Sequence, residues 1–103
     1  MVNKKYKVTW DEPARIQLKR IYEYIRKDSL QNAQKVKSEI IKIANSLSEN
    51  PERFPLDKNK DDNDGTFRVF TKYKYRVAYT ILQDQNAIVI LRVRSEKQEP
   101  LQY

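Results

Sequence analysis

Neither cysteine nor histidine occurs anywhere in the 103 residues. Without cysteine there is no disulfide framework and no thiolate chemistry. Without histidine, the commonest acid–base group and the commonest zinc ligand are both missing. Ser-His and Cys-His relays are excluded with them. Glycine occurs once, at Gly65, so no glycine-rich loop can cradle a phosphate. No apolar run reaches the roughly 20 residues of a membrane span. The N-terminal MVNKKYKV lacks the apolar core of a signal peptide. These absences lead us to expect a soluble, cytoplasmic protein with no cofactor, no metal and no membrane partner.

What the chain has in excess is positive charge. Lysine and arginine total 21 against 14 aspartates and glutamates, a net charge of +7. That balance points to an anionic partner, either nucleic acid or an acidic protein. The length suits one domain over residues 1–103, with a modest core.

The most informative stretch runs from Thr66 to Arg94, TFRVFTKYKYRVAYTILQDQNAIVILRVR. Three runs rich in Val, Ile, Tyr, Phe and Thr are split by polar breaks at residues 71–74 and 83–86. This pattern predicts two hairpins in series, a three-stranded antiparallel meander. Alternate residues of a strand share a face. Tyr75, Val77, Tyr79 and Ile81 then form one side of the middle strand, and Val89, Leu91 and Val93 one side of the last. Phe67 and Val69 are expected on the same apolar face. The other face is expected to carry Arg68, Lys72, Arg76, Arg92 and Arg94, with Phe70, Ile88 and Ile90 among them. Solvated sheet faces often carry Lys and Arg. Four arginines with no acidic residue inside the three runs also suit a surface that meets phosphates.

Upstream, KYKVTW alternates as a half-exposed edge strand. Asp11, Glu12 and Pro13 mark a helix start. Ala14, Leu18, Ile21, Tyr22 and Ile25 fall on one helical stripe, with Ile16 off it. Ser29 is expected to cap a second helix carrying Leu30, Ala33, Val36, Ile40, Ile41, Ile43, Ala44 and Leu47, which Asn50-Pro51 should end. The short connection makes the helices an antiparallel hairpin. The segment PERFPLDKNKDDNDG reads as a mobile, solvated loop, with Phe54 and Leu56 tucked against the sheet. Its DKNKDDNDG portion is not a calcium loop: counting from Gly65 puts Lys60 and Thr71 at the first and last ligand positions. The polar tail SEKQEPLQY leaves the last strand beside Arg92 and Arg94, where Glu96, Lys97, Glu99 and Tyr103 can fold back over the basic face.

The expected architecture is therefore α+β, in the order β-α-α-β-β-β. An antiparallel helical hairpin packs on one face of a mainly antiparallel four-stranded sheet. In this order and spacing the chain resembles the RelE/ParE superfamily of bacterial toxins, the protein half of type II toxin–antitoxin modules. The residues that carry the resemblance are IYEYIRKDSLQNAQKV, Asn50-Pro51, FRVF, YRVAYTI, and ILRVR followed by EPLQY. It implies a toxin that arrests growth when free and is neutralised by an antitoxin, here expected to be acidic, in a toxin–antitoxin hetero-oligomer. ParE-like plasmid-stabilisation members block DNA gyrase, and RelE-like members cut messenger RNA in the ribosome without a metal. The helical hairpin and the YIRKDS turn look ParE-like.

For the nuclease alternative, the resemblance places Arg76 of YRVAY at the central family arginine and Tyr103 at the tyrosine near the C-terminus, as its catalytic pair. Ser95 stands where many relatives have histidine, and Glu96 or Lys97 where RelE-like tails carry an arginine. A tyrosine with a reference pKa near 10 is a poor base at neutral pH unless cations lower it. The expected phosphate- or target-binding set is Arg68, Lys72, Arg76, Arg92, Arg94 and Lys97. A non-toxic basic module that binds RNA or protein is the remaining alternative.

Overall fold

The structure is a computed structural model and describes residues 5–97. Strand β1 (Lys7–Trp10) leads into helix α1 (Glu12–Arg26) and helix α2 (Leu30–Ser46). Strands β2 (Phe67–Lys72), β3 (Tyr75–Leu82) and β4 (Ala87–Ser95) follow, so the order is the expected one. The sheet runs β1-β4-β3-β2, with β1 parallel to β4 and the other neighbours antiparallel. The parallel pair is possible because the helical hairpin serves as the crossover between β1 and the meander.

Local chemistry sets the element ends. Ser29 Oγ accepts the Asn32 N–H at 3.1 Å, the N-cap expected for α2. The end of α2 differs from expectation: it lies at Ser46, not at Asn50-Pro51. The Ser46 hydroxyl donates to the Ile43 carbonyl at 2.6 Å and accepts from Arg53 at 2.9 Å. Just beyond, Ser48 exchanges two hydrogen bonds with Tyr6, at 2.9 and 2.7 Å, which bind the chain leaving α2 to the start of β1. The β2–β3 turn is tighter than the sequence suggests. Thr71 and Lys72 stay in β2, and Tyr73 takes a positive φ of 56° in a two-residue turn.

The core lies between the helices and one face of the sheet. Ala14, Leu18, Ile40, Ala44 and Leu47 meet Phe70, Val77, Tyr79, Ile81, Ile88, Ile90 and Val93. Ile16, off the stripe of α1, is 42 % exposed. Tyr79 is fully buried and donates its hydroxyl to the Pro51 carbonyl at 2.7 Å. Its ring lies 6.4 Å from that of Phe70, which in turn meets Phe54 at 5.3 Å.

Burial pushes the Tyr79 phenol up to about 12. Below the unfolded value near 10 the phenol is protonated in both states, and its stabilisation is fully present. Between pH 10 and 12 the unfolded chain releases this proton first, and stability should fall by about 2–3 kcal/mol. Denaturant unfolding at pH 9 and pH 11.5 measures the loss. Tyr79→Phe should reduce that pH dependence, while costing about 1 kcal/mol at neutral pH for the lost hydrogen bond.

Candidate functional site

The sheet face away from the helices differs from the one expected, for two separate reasons. In β4, Tyr79 of β3 pairs with Ile90 but Ala78 pairs with Arg92, so Leu91 is an extra residue. This bulge reverses the alternation. Ile88 and Ile90 face the core before it, and Val93 after it. Arg92 and Arg94 keep their expected side, in register with Ala78 and Arg76. In β2 the alternation is right but the faces are exchanged. Phe70 pairs with Val77 and is core, which puts Arg68 and Lys72 on the helix side and Phe67 and Val69 on the open side. Phe70 takes the inner place because its ring fills the space between Tyr79 and Phe54.

Of the expected basic set, the open face therefore brings together Arg76 and Arg92, while Arg94, on the same side of β4 by register, also lines a pocket against α1 at the end of the strand. Arg68 is committed elsewhere: its Nη1 donates to the Phe54 carbonyl at 2.7 Å and to that of Glu52 at 3.3 Å, holding the 52–56 segment against the sheet. Lys72 lies over the Tyr73 ring, its Nζ 4.9 Å from the centroid. Lys97 is exposed just beyond β4. Tyr103 and Glu99 lie outside the described residues.

The residue that sequence reasoning missed is Asp57. The segment expected to be a mobile loop is instead bonded along β2. The Asp57 N–H reaches the Phe67 carbonyl at 2.9 Å, and the Val69 N–H reaches that of Pro55 at 3.0 Å. Asn63 fastens its far end. Asn63 Nδ2 donates to the Asp57 and Phe67 carbonyls, at 3.2 and 2.8 Å, and its Oδ1 accepts from Gly65 and Phe67. Gly65 sits at φ 96°, a conformation that favours glycine. Farther up the segment, Phe54 packs against the core, whereas Leu56 is 46 % exposed.

This segment delivers Asp57 to the open face. Its side chain is 1 % exposed, and Oδ1 accepts from Arg76 Nη2 at 2.8 Å and from the Asn59 N–H at 2.9 Å. Arg76, 29 % exposed, is thus neutralised by a carboxylate that lies outside the three strand runs. No periodicity marks Asp57, because it follows a single isolated bridge, Leu56 with Arg68, and not a strand. Arg92 Nη1 donates to the Leu91 carbonyl at 2.7 Å and stands 3.9 Å from the Asp11 carboxylate. The latter is a loose, solvated pair worth about 0–1 kcal/mol.

A second feature lies on the other side of β1. A groove of about 800 Å³ is lined by Val8, Trp10, Leu18, Tyr22 and Ile41, with Arg15, Lys19, Arg26 and Lys37 among its polar residues. Lys37 Nζ stands 5.2 Å over the Tyr22 ring. Strand β1 pairs only with β4 in the sheet order, so its outer edge borders this groove unpaired by any described strand. Among the described residues, no group of acidic side chains could hold a metal, and no helix is long and apolar enough to cross a membrane.

The family model for the ParE toxin of the type II toxin–antitoxin system, parDE, matches residues 8–100. The chain belongs to this family. It is thus a type II toxin of the RelE/ParE superfamily. No curated protein sequence matches it. Solved structures share its fold. A chain of the RelBE2 toxin–antitoxin complex of Mycobacterium tuberculosis is 20 % identical with a TM-score of 0.64, covering 88 % of this chain and 98 % of that one. A chain of the chromosomal ParDE system of P. aeruginosa is 17 % identical with a TM-score of 0.68, covering 89 % and 97 %. A double arginine-to-alanine mutant of E. coli RelE in the free state is 15 % identical with a TM-score of 0.63, covering 90 % and 85 %. Family membership retires the reading of the toxin as a non-toxic binding module.

Proposed function

We propose that this toxin arrests growth by acting on DNA gyrase and that an acidic antitoxin neutralises it. The observation that carries the choice of target is the ion pair of Arg76 with buried Asp57 at 2.8 Å. A nuclease of the RelE type needs cations free to hold a phosphate while negative charge builds on it. Here a phosphate approaching Arg76 meets a carboxylate already bound to the guanidinium, and the two anions repel. The pair serves the fold better than it serves phosphoryl chemistry. Purified toxin should inhibit gyrase supercoiling and cause DNA breaks to accumulate, while transcripts on ribosomes stay intact. Ribosome-dependent cleavage of messenger RNA at low toxin concentration would overturn this reading.

The antitoxin partner is supported by the ParDE and RelBE2 relatives, which are toxin–antitoxin systems. Its docking place is the groove beside β1, where apolar side chains fit the floor of Val8, Leu18 and Ile41 and carboxylates meet Arg15, Lys19, Arg26 and Lys37. The unpaired edge of β1 offers backbone groups to an added strand. Charge-driven encounter slows as salt rises, while apolar burial keeps the complex tight. Stopped-flow association should therefore slow markedly between low and high salt. A rate indifferent to salt would contradict the acidic assignment.

A further inference from the structure

Where α1, the β2–β3 turn and the end of β4 converge, a pocket of about 580 Å³ opens between Arg20, Tyr24, Lys74, Tyr75, Arg94 and Lys97. It is distinct from both the Arg76–Asp57 pair and the groove beside β1. Among the described residues, four cations line it and no carboxylate does. Such a cluster repels itself unless an anion is present. Arg94 adds a second sign: its Nε is buried and has no hydrogen-bond partner among the described residues.

The aromatic groups define the kind of anion. Tyr24 is 70 % exposed, unusual for so large a ring. Tyr75, half-buried, lines the same pocket, and burial pushes its phenol up. Guanidinium and ammonium groups bind phosphate, and tyrosine faces stack on bases. The volume also suits a small organic ligand rather than a bare ion.

We infer that this pocket binds a nucleotide, with its phosphate held by Arg20, Lys74, Arg94 and Lys97 and its base stacked against Tyr24. The ligand is either a free nucleotide or the phosphorylated end of a single-stranded nucleic acid, and the chemistry of recognition is the same for both. The inference is independent of the gyrase reading, because none of the six residues belongs to the ion pair on which that reading rests.

Titration of the full chain with AMP, followed by amide chemical shifts, tests it. Signals of Gln17, Arg20, Tyr24, Lys74 and Arg94 should move, and those of Asp57 and Phe67 should stay. Tyr24→Ala, at an exposed position, should weaken AMP about tenfold and leave inorganic phosphate unchanged. Lys74→Gln should weaken both. A single-stranded hexanucleotide with a terminal phosphate that binds more tightly than AMP at the same signals identifies a nucleic-acid end, and equal affinity identifies a free nucleotide. Either result upholds the inference. Three results would overturn it: AMP shifts absent from the pocket, Tyr24→Ala without effect on AMP, or a hexaglutamate peptide binding there more tightly than AMP.

Discussion

Ile40→Ala should lower the free energy of unfolding by about 2–5 kcal/mol. Ile40 is fully buried in α2, inside the cluster that joins both helices to β3 and β4. Truncation removes three carbons from a close-packed site and leaves a cavity that the surrounding helices and strands fill only in part. A domain of this size has about 5–15 kcal/mol of stability in total, so the loss is a large fraction of it. Its thermal midpoint should fall by roughly 10 °C or more. Ile16→Ala is the matched control, because Ile16 is 42 % exposed on the outer side of α1 and should change stability by only about 0.5 kcal/mol. Denaturant melts of the two variants measure the contrast. Equal midpoints would mean that the helical hairpin does not hold the core as described.

Arg76→Met should cost about 3 kcal/mol, and Asp57→Asn less, about 1–2 kcal/mol. The asymmetry follows from burial. Losing Arg76 takes its ion-pair partner from a carboxylate that is 1 % exposed, whereas losing the Asp57 charge leaves a guanidinium that is 29 % exposed and still reaches water. The amide of Asn at position 57 also keeps an oxygen for the Asn59 N–H. Combining the two substitutions should recover part of the loss, since no buried charge then lacks its ion-pair partner. A double-mutant cycle by urea unfolding reads the coupling. The same double variant separates fold from mode of action. If the toxin acts on gyrase, the refolded pair variant should still arrest growth. Loss of arrest in the double variant, at a temperature where its melt shows it folded, would show that Arg76 itself contacts the target.

The strand register shows where sequence reasoning ends. In β3, unbroken alternation from Tyr75 to Ile81 is legible, because Val77, Tyr79 and Ile81 are core and Arg76 is not. In β4 the same method fails before Leu91 and succeeds after it, since one bulged residue inverts the parity and leaves no mark in composition. In β2 the two faces each offer one aromatic ring, Phe67 or Phe70. The packing of Phe54 and Tyr79 selects Phe70. Half of the expected basic set thus changed place or partner for reasons of register and packing.

The sequence by itself determined the absence of histidine and cysteine chemistry, the order of elements, the helical hairpin with its Ser29 cap, the charge of +7 and the superfamily. These depend on composition, on periodicity over many residues and on local hydrogen bonds, all of which are written along the chain. Only the tertiary structure decided that Arg76 is paired, that Arg68 holds a loop, and that Arg20, Lys74 and Arg94 share one pocket with Tyr24. Those facts depend on contacts such as Asp57 with Arg76, 19 residues apart, and Gln17 with Val93, 76 residues apart. Contacts at such separations are set by how the elements pack, and a single sequence carries no local signal for them.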